Sequence, residues 1–374
     1  MTRRERTSWA RHGLGMLDRS IEWADNDGSI RGTVMADAQR TLLELFYGRW
    51  RSQTLHAGVE LGVFEVTRSD PLGSDQIARD LGIDSALGYR LLRALAALGV
   101  LCEHGSRSFS SNDAGRMLRA DHPQSMRDAF LLREGPEHTA VWKHLADIVR
   151  DGQQTGFVRE YGMTAFAYAD RESSYGEAFS AGMNSQSNLQ TVWTIEALRT
   201  CGLESVRHLC DVGGGRGHLL CHLLAAHPEM RGTVLERSQV VGQGGAAWAE
   251  TLRVADRCAF EAGDMFAAVP AADAYSLKMI LHDWDDAECT AILAVLRRFA
   301  VRPARVFIVE HVIPDQGGPD YAALFDMHMM CWGTGRERTV AEYRRLLEAA
   351  GWSFKAVWFP PSGAIGVIEG GLAA

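Results

Sequence analysis

Apolar positions follow two regimes along this chain. From residue 206 onward, short runs rich in Val, Ile, Leu and Phe alternate with stretches of helical period. The runs at 206–212, 232–235, 258–260, 274–281 and 306–312 read as strands, and a terminal pair follows at 354–359 and 364–368. Such alternation predicts a mostly parallel sheet covered by helices on both faces. Pro360, Pro361 and Gly363 between the last two runs predict an antiparallel hairpin at the end. One helix is well marked at 287–299, where Ile292, Leu293, Leu296 and Phe299 recur at helical spacing. Asp285 and Asp286 suit its first turn, where the helix dipole favours negative charge.

Upstream of 206 the pattern is helical. Ser74 and Ser85 are placed to cap helices at 75–81 and 87–98, and 100–101 with 107–109 form a small hairpin around Gly105. Helix, turn, helix and wing make a winged-helix unit. Residues 119–200 read as largely helical, with a loop at 152–157. Residues 1–38 are polar and weakly periodic, with a turn signal at Asn26-Asp27-Gly28. The expected organisation is therefore an extension (1–38), a winged-helix and helical domain (39–185) and an α/β domain (186–374).

Composition narrows the function. A chain of 374 residues with 46% hydrophobic and 23% charged residues is an ordinary globular protein, long enough for two cores. Its net charge of −8, with only Arg90 and Arg93 on the second helix of the winged unit, argues against DNA and for packing or dimerisation. Seven cysteines without a C-x-x-C pair argue against a disulfide framework or structural zinc. No apolar run reaches the roughly 20 residues of a membrane span, and Arg3, Arg4, Arg6 and Arg11 precede no signal-type apolar region. A cytoplasmic protein is expected.

The chemistry gathers at strand ends. Asp211-Val-Gly-Gly-Gly-Arg-Gly217 follows the first strand and opens a helix near His218; glycines here let a ligand approach the backbone. The loop resembles a dinucleotide fingerprint, which is weak evidence alone. Asp211 would repel a pyrophosphate but suits a cationic amino-acid ligand, and Glu236 is placed to take ribose hydroxyls. Asp264, Met265 and Phe266 offer a carboxylate and apolar walls for an adenine. An adenosine with an ammonium and no phosphate fits these groups, so S-adenosylmethionine is the expected cofactor. At the end of the fourth run lies Lys278-Met-Ile-Leu-His-Asp-Trp-Asp-Asp286, where His282 can change charge near neutral pH.

With these residues in place, the second half resembles the class I methyltransferases, with their Rossmann-like α/β sheet. From about residue 40 onward the chain resembles the plant caffeic-acid-type and actinomycete small-molecule O-methyltransferases. The matching motifs are 211–217, Gly263-Asp-Met-Phe266, 278–286, Val309-Glu-His-Val-Ile-Pro314 and Gly335-Arg-Glu-Arg-Thr339. The resemblance implies cofactor contacts from Asp211, Gly213, Gly215, Glu236, Asp264, Met265, Phe266, Lys278 and Trp284. It also implies a homodimer built through the N-terminal half, with Phe179 and Met183 roofing an acceptor pocket that Trp142 and Met329 help to line. His282 would deprotonate the acceptor, oriented by Glu310 and Glu337.

Two residues open another reading. His328, in Asp326-Met-His-Met-Met330, stands where the family usually has methionine or asparagine, and Arg133 stands at a matched acceptor position that is neutral in plant enzymes. His282, Asp283 and His328 could form a two-histidine, one-carboxylate set for iron or zinc. Such a metal would act as a Lewis acid toward a 2-oxo acid, with Arg133 pairing the carboxylate. The resemblance is then to the 2-oxo-acid C-methyltransferases of the phenylpyruvate type, which serve antibiotic biosynthesis. This is the leading expectation; O-methylation of an aromatic hydroxyl, with His282 as base, is the alternative.

Overall fold

Seven strands build the sheet that the alternating pattern predicts: β1 (His208–Val212), β2 (Arg231–Glu236), β3 (Cys258–Ala262), β4 (Ala274–Lys278), β5 (Ala304–Glu310), β6 (Ser353–Trp358) and β7 (Gly366–Leu372). Their order is β3-β2-β1-β4-β5-β7-β6, parallel except for β7, which is antiparallel to both β5 and β6. The strand order reverses between β1 and β4, the switch point outside which open α/β sheets bind ligands. The computed structural model describes residues 37–199, 201–241, 246–316, 320–361 and 365–374. The expected extension and its turn signal thus lie outside the described residues, save for 37 and 38, which open the helix Asp37–Phe46.

Successive side chains on a strand point to opposite faces, and here both faces are apolar. Cys210, Tyr275, Leu277, Val306 and Ile308 enter one core with Ile292, Leu293 and Leu296. Leu209, Ala274, Phe307 and Val309 enter the other with Leu220 and Leu224. This two-sided burial explains why the strands read as continuous apolar runs rather than alternating ones. The helix Asp286–Phe299 begins in a capping box: Asp285 Oδ1 accepts from Glu288 N at 2.8 Å, and Asp285 N donates to Glu288 Oε2 at 3.1 Å.

Two compact units divide the chain, residues 1–52 and 53–374. In the first, the helix Asp37–Phe46 and the start of Gly48–Glu60 leave Leu42, Leu45, Phe46 and Trp50 more than half exposed. In the second, the helices Ser74–Leu81 and Ser85–Ala97 lead into an antiparallel sheet of Leu101–His104, Ser108–Ser111 and Leu72–Gly73. Ile77, Leu92, Leu95 and Phe109 close their core. Both caps fall one residue earlier than expected. Gly73 precedes the first helix, and Asp84 accepts from Leu87 N at 2.8 Å. Ser85 Oγ is instead engaged with Asp75.

Three other expectations are corrected. Residues 156 and 157, expected as the end of a loop, open the helix Gly156–Tyr161. The boundary expected at 185/186 falls inside one helix, Ser173–Leu198. The strand expected at 274–281 stops at Lys278, and Leu281–Asp283 form a 3-10 turn. Glu310 at the end of β5 explains this break. Its Oε1 accepts the backbone N–H groups of Ile280, Leu281 and His282 at 3.1, 2.9 and 3.4 Å, drawing them off the ladder.

Candidate active site

The carboxyl ends of β1, β2 and β4 open onto a cavity of about 620 Å³. On one side is the glycine loop. Gly213, Gly215 and Gly217 have φ of +67°, +57° and +74°, the left-handed region that glycine tolerates best. A side chain on Gly213 would run into Ile280, and one on Gly214 into Asp211. Glu236 reaches back to the loop, where Gly215 N donates to its Oε2 at 3.1 Å. Met265, Trp284 and Phe266 form an apolar slot, the two rings edge to face at 4.9 Å. Lys278 donates to Ser187 Oγ at 2.9 Å, and burial lowers its pKa despite Asp211 and Glu310 nearby.

Eight of the nine residues expected to contact the cofactor line this cavity. Asp211 is the exception, since it stands behind the loop. Burial raises its carboxyl to about 6, against a 2.6 Å hydrogen bond from Ser276 Oγ and the charge of Lys278. Its Oδ2 is buried without a partner, which fits a cationic ligand nearby. A loop shaped for close backbone approach, a carboxylate at the second strand end and an apolar slot together fit S-adenosylmethionine.

The other side of the cavity is built around His282. Glu337 Oε1 lies 2.7 Å from His282 Nδ1, and Asp283 Oδ1 lies 3.5 Å from Nε2. Neither Glu310 nor Glu337 reaches the cavity wall; both lie beneath the imidazole and are fully buried. The short parallel pairing of Val312–Ile313 with Arg338–Thr339 brings these two glutamates together. Burial disfavours the imidazolium, yet Glu310, Asp283 and Glu337 outweigh it and raise His282 to about 10. Burial itself raises Asp283 to about 6 and lifts Glu310 above the usual carboxylate range.

Several residues that hold this arrangement carried no expected role, although two of them lie inside the quoted motifs. Arg338, fully buried, donates to the carbonyl oxygens of Leu281 and Trp284 at 2.9 and 2.8 Å and pairs with Asp286 at 2.9 Å. Asp326 Oδ1 accepts from Glu337 N at 2.8 Å. His138, a lone histidine on a helix with no motif around it, is buried in the cavity wall and stacks on His328 at 5.5 Å. Of the expected acceptor contacts, Arg133, Phe179, Met183 and Met329 line the cavity, with Phe179 stacked on Trp332 at 5.8 Å. Trp142 does not line it and is 41% exposed.

The metal set needs correction. A metal with bonds of about 2 Å requires its ligand atoms to crowd within about 4 Å of one another. Among the described residues, His282, Asp283 and His328 do not form a group with all ligand atoms within 4.8 Å; His282, Glu310 and Glu337 do. His328 instead lies between the rings of His138 and Phe325, each 5.5 Å away. Burial and the charge of Arg133 hold it well below the usual imidazole range, so it is neutral. In the close trio Glu337 meets His282 Nδ1 at 2.7 Å and Glu310 accepts the His282 backbone N–H, and only His282 of the three lines the cavity.

A glycine loop at the switch point, with a buried histidine and its carboxylates facing it across one cavity, defines an S-adenosylmethionine-dependent methyltransferase. The O-methyltransferase domain family matches residues 142–353, and the O-methyltransferase dimerisation domain matches residues 43–121. The chain belongs to this O-methyltransferase family. It is 30% identical to the phenazine O-methyltransferase PhzM of Lysobacter antibioticus, over 88% of this chain and 94% of that one. It is 31% identical to the mitomycin biosynthesis 6-O-methyltransferase of Streptomyces lavendulae, over 84% and 89%. The structure of CalO1, a methyltransferase of calicheamicin biosynthesis bound to S-adenosylhomocysteine, matches with a TM-score of 0.77 and 28% identity, covering 91% of this chain and all of that one. The enzyme is thus a small-molecule methyltransferase of secondary metabolism. No helix among the described residues is long and apolar enough to cross a membrane.

Proposed function

We propose that the enzyme methylates a hydroxyl oxygen of an aromatic secondary metabolite, with His282 taking the hydroxyl proton on Nε2. The observation that carries this reading is the 2.7 Å contact between His282 Nδ1 and Glu337. A carboxylate beneath Nδ1 holds a proton on that nitrogen and leaves Nε2 to act as base. When bound, S-adenosylmethionine supplies a sulfonium-activated methyl group; Gly213, Gly215, Glu236, Asp264, Met265, Phe266, Lys278 and Trp284 would hold it. Phe179, Met183, Met329 and Trp332 keep the acceptor ring dry and in place. Raising His282 to about 10 brings it to the range of a phenol, also about 10, so proton transfer between them is nearly balanced. The likeness to a phenazine O-methyltransferase and a mitomycin biosynthesis 6-O-methyltransferase supports oxygen as acceptor, and the dimerisation-domain match supports a homodimer as the working form.

The pH profile tests this arrangement. Only the neutral imidazole can accept the proton, so kcat is expected to rise with pH through the elevated histidine pKa. Glu337→Gln removes one of the anions that raise it. The limb should therefore move to lower pH, with a lower plateau. A limb that stays in place would detach Glu337 from the base.

Carbon methylation of a phenylpyruvate-like 2-oxo acid is less well supported, because it needs a Lewis acid on ligands that do not converge. Turnover is expected to survive dialysis against a strong chelator. Loss of activity that iron or zinc restores would return the carbon reading to first place.

A further inference from the structure

The acceptor side of the cavity holds a cation that methyl transfer to a neutral phenol does not use. Arg133 ends the helix Arg127–Arg133 and lines the cavity. One of its N–H groups donates to Gln186 Oε1 at 2.7 Å, and the guanidinium lies 4.8 Å over the Phe325 ring. Among the described residues no carboxylate forms an ion pair with it, although Asp283 and Glu337 act on it through space. A guanidinium has a planar fork of donors shaped for a carboxylate, and leaving that fork unfilled in a mostly apolar cavity is costly. Next to it His138 also has a buried Nδ1 with no partner.

Position adds to chemistry. Phe325 is shared: its ring centroid is 5.9 Å from that of His282 and 4.8 Å from the Arg133 guanidinium carbon. Laid end to end, those separations bound the gap between base and cation to the reach of one or two fused aromatic rings. Phe179, Met183 and Trp332 add an apolar, partly stacked wall, as a flat ring requires.

We propose that the natural acceptor is a hydroxyaryl carboxylic acid, its carboxylate seated on Arg133 while its hydroxyl faces His282. This rests on the oxygen-methylation reading and adds the substrate class. A neutral phenol would leave the fork unpaired, and the pocket would discriminate against it by that lost charged hydrogen bond, roughly 10- to 100-fold in affinity.

The test measures binding without turnover, so that it fails or succeeds separately from the reaction. Enzyme saturated with S-adenosylhomocysteine is titrated by calorimetry with hydroxybenzoates and hydroxynaphthoates, each beside its carboxamide. The acids should bind about 10- to 100-fold more tightly than the amides. Arg133→Met should erase that preference, and Arg133→Lys should restore part of it, since lysine keeps the charge but not the fork. Unchanged affinity for S-adenosylhomocysteine shows that the variants are folded. Equal binding of acid and amide by the parent enzyme, no binding of any acid, or a preference that survives in Arg133→Met overturns the proposal. None of these outcomes touches the His282 reading, which is decided by turnover.

Discussion

Replacing His282 by alanine is expected to lower kcat by about 10²- to 10⁴-fold, the usual worth of a positioned general base, with cofactor affinity unchanged. The cofactor side explains the second half of this expectation. The glycine loop follows β1, Glu236 ends β2 and Phe266 follows β3; Trp284 shares the His282 segment but packs edge to face on Phe266, and none of these contacts uses the imidazole. The imidazole does matter to the acids beneath it, because Glu310 and Glu337 are buried and lose their cationic neighbour when it goes. Burial already lifts Glu310 above the ordinary range, so it would take up a proton rather than unfold the site. His282→Gln, which keeps a polar group over the acids, should fold better and be just as slow. Single-turnover product formation, paired with calorimetry of S-adenosylhomocysteine, reads both effects. A variant that loses cofactor binding, or one that retains activity within tenfold of the parent, would remove His282 from the role of base.

Why this histidine could be picked out from sequence, while much of its support could not, follows from the range of the interactions. The end of β4 is local information: an apolar run, a charged cluster and a well-capped helix follow one another within a few residues. Glycine spacing and the acidic residues at neighbouring strand ends are equally local, and they identified the cofactor. Arg338 and His138 act across long stretches of chain. Arg338 reaches the Leu281 carbonyl 57 residues away, and no spacing rule encodes that. The same limit misplaced the metal. His282, Asp283 and His328 are suitable ligands by residue type, but whether they converge depends on how the helix Tyr321–Trp332 rotates. Its packing sends His328 into a stack with His138 instead. Strand β4 ended early for a related reason: a carboxylate on β5 captured its last N–H groups.

Gly335→Ala is expected to be the most damaging small substitution outside the cavity, although one methyl group is all it adds. A Cβ at this position would collide with the backbone carbonyl of His282 and the carbonyl carbon of Asp283. Backbone cannot rotate away as a side chain can, so the segment from Gly335 to Arg338 would have to move. That segment carries Glu337, which meets His282 at 2.7 Å, and Arg338, which fixes the carbonyls of Leu281 and Trp284. Displacing it by even an ångström would break both contacts. The cost should be about 2–4 kcal/mol in stability, the scale of other overpacked or network-breaking changes. The kcat should fall about 100-fold as the base loses its orientation. Gly333→Ala, two residues earlier, is the matched control, because a Cβ there meets nothing nearer than Gly335 N at 4.0 Å. Denaturant melts and steady-state kinetics on the two variants should separate them clearly. Equal behaviour of the pair would mean that the close approach of Gly335 to the His282 backbone is not what holds the Leu281–Asp283 turn in place.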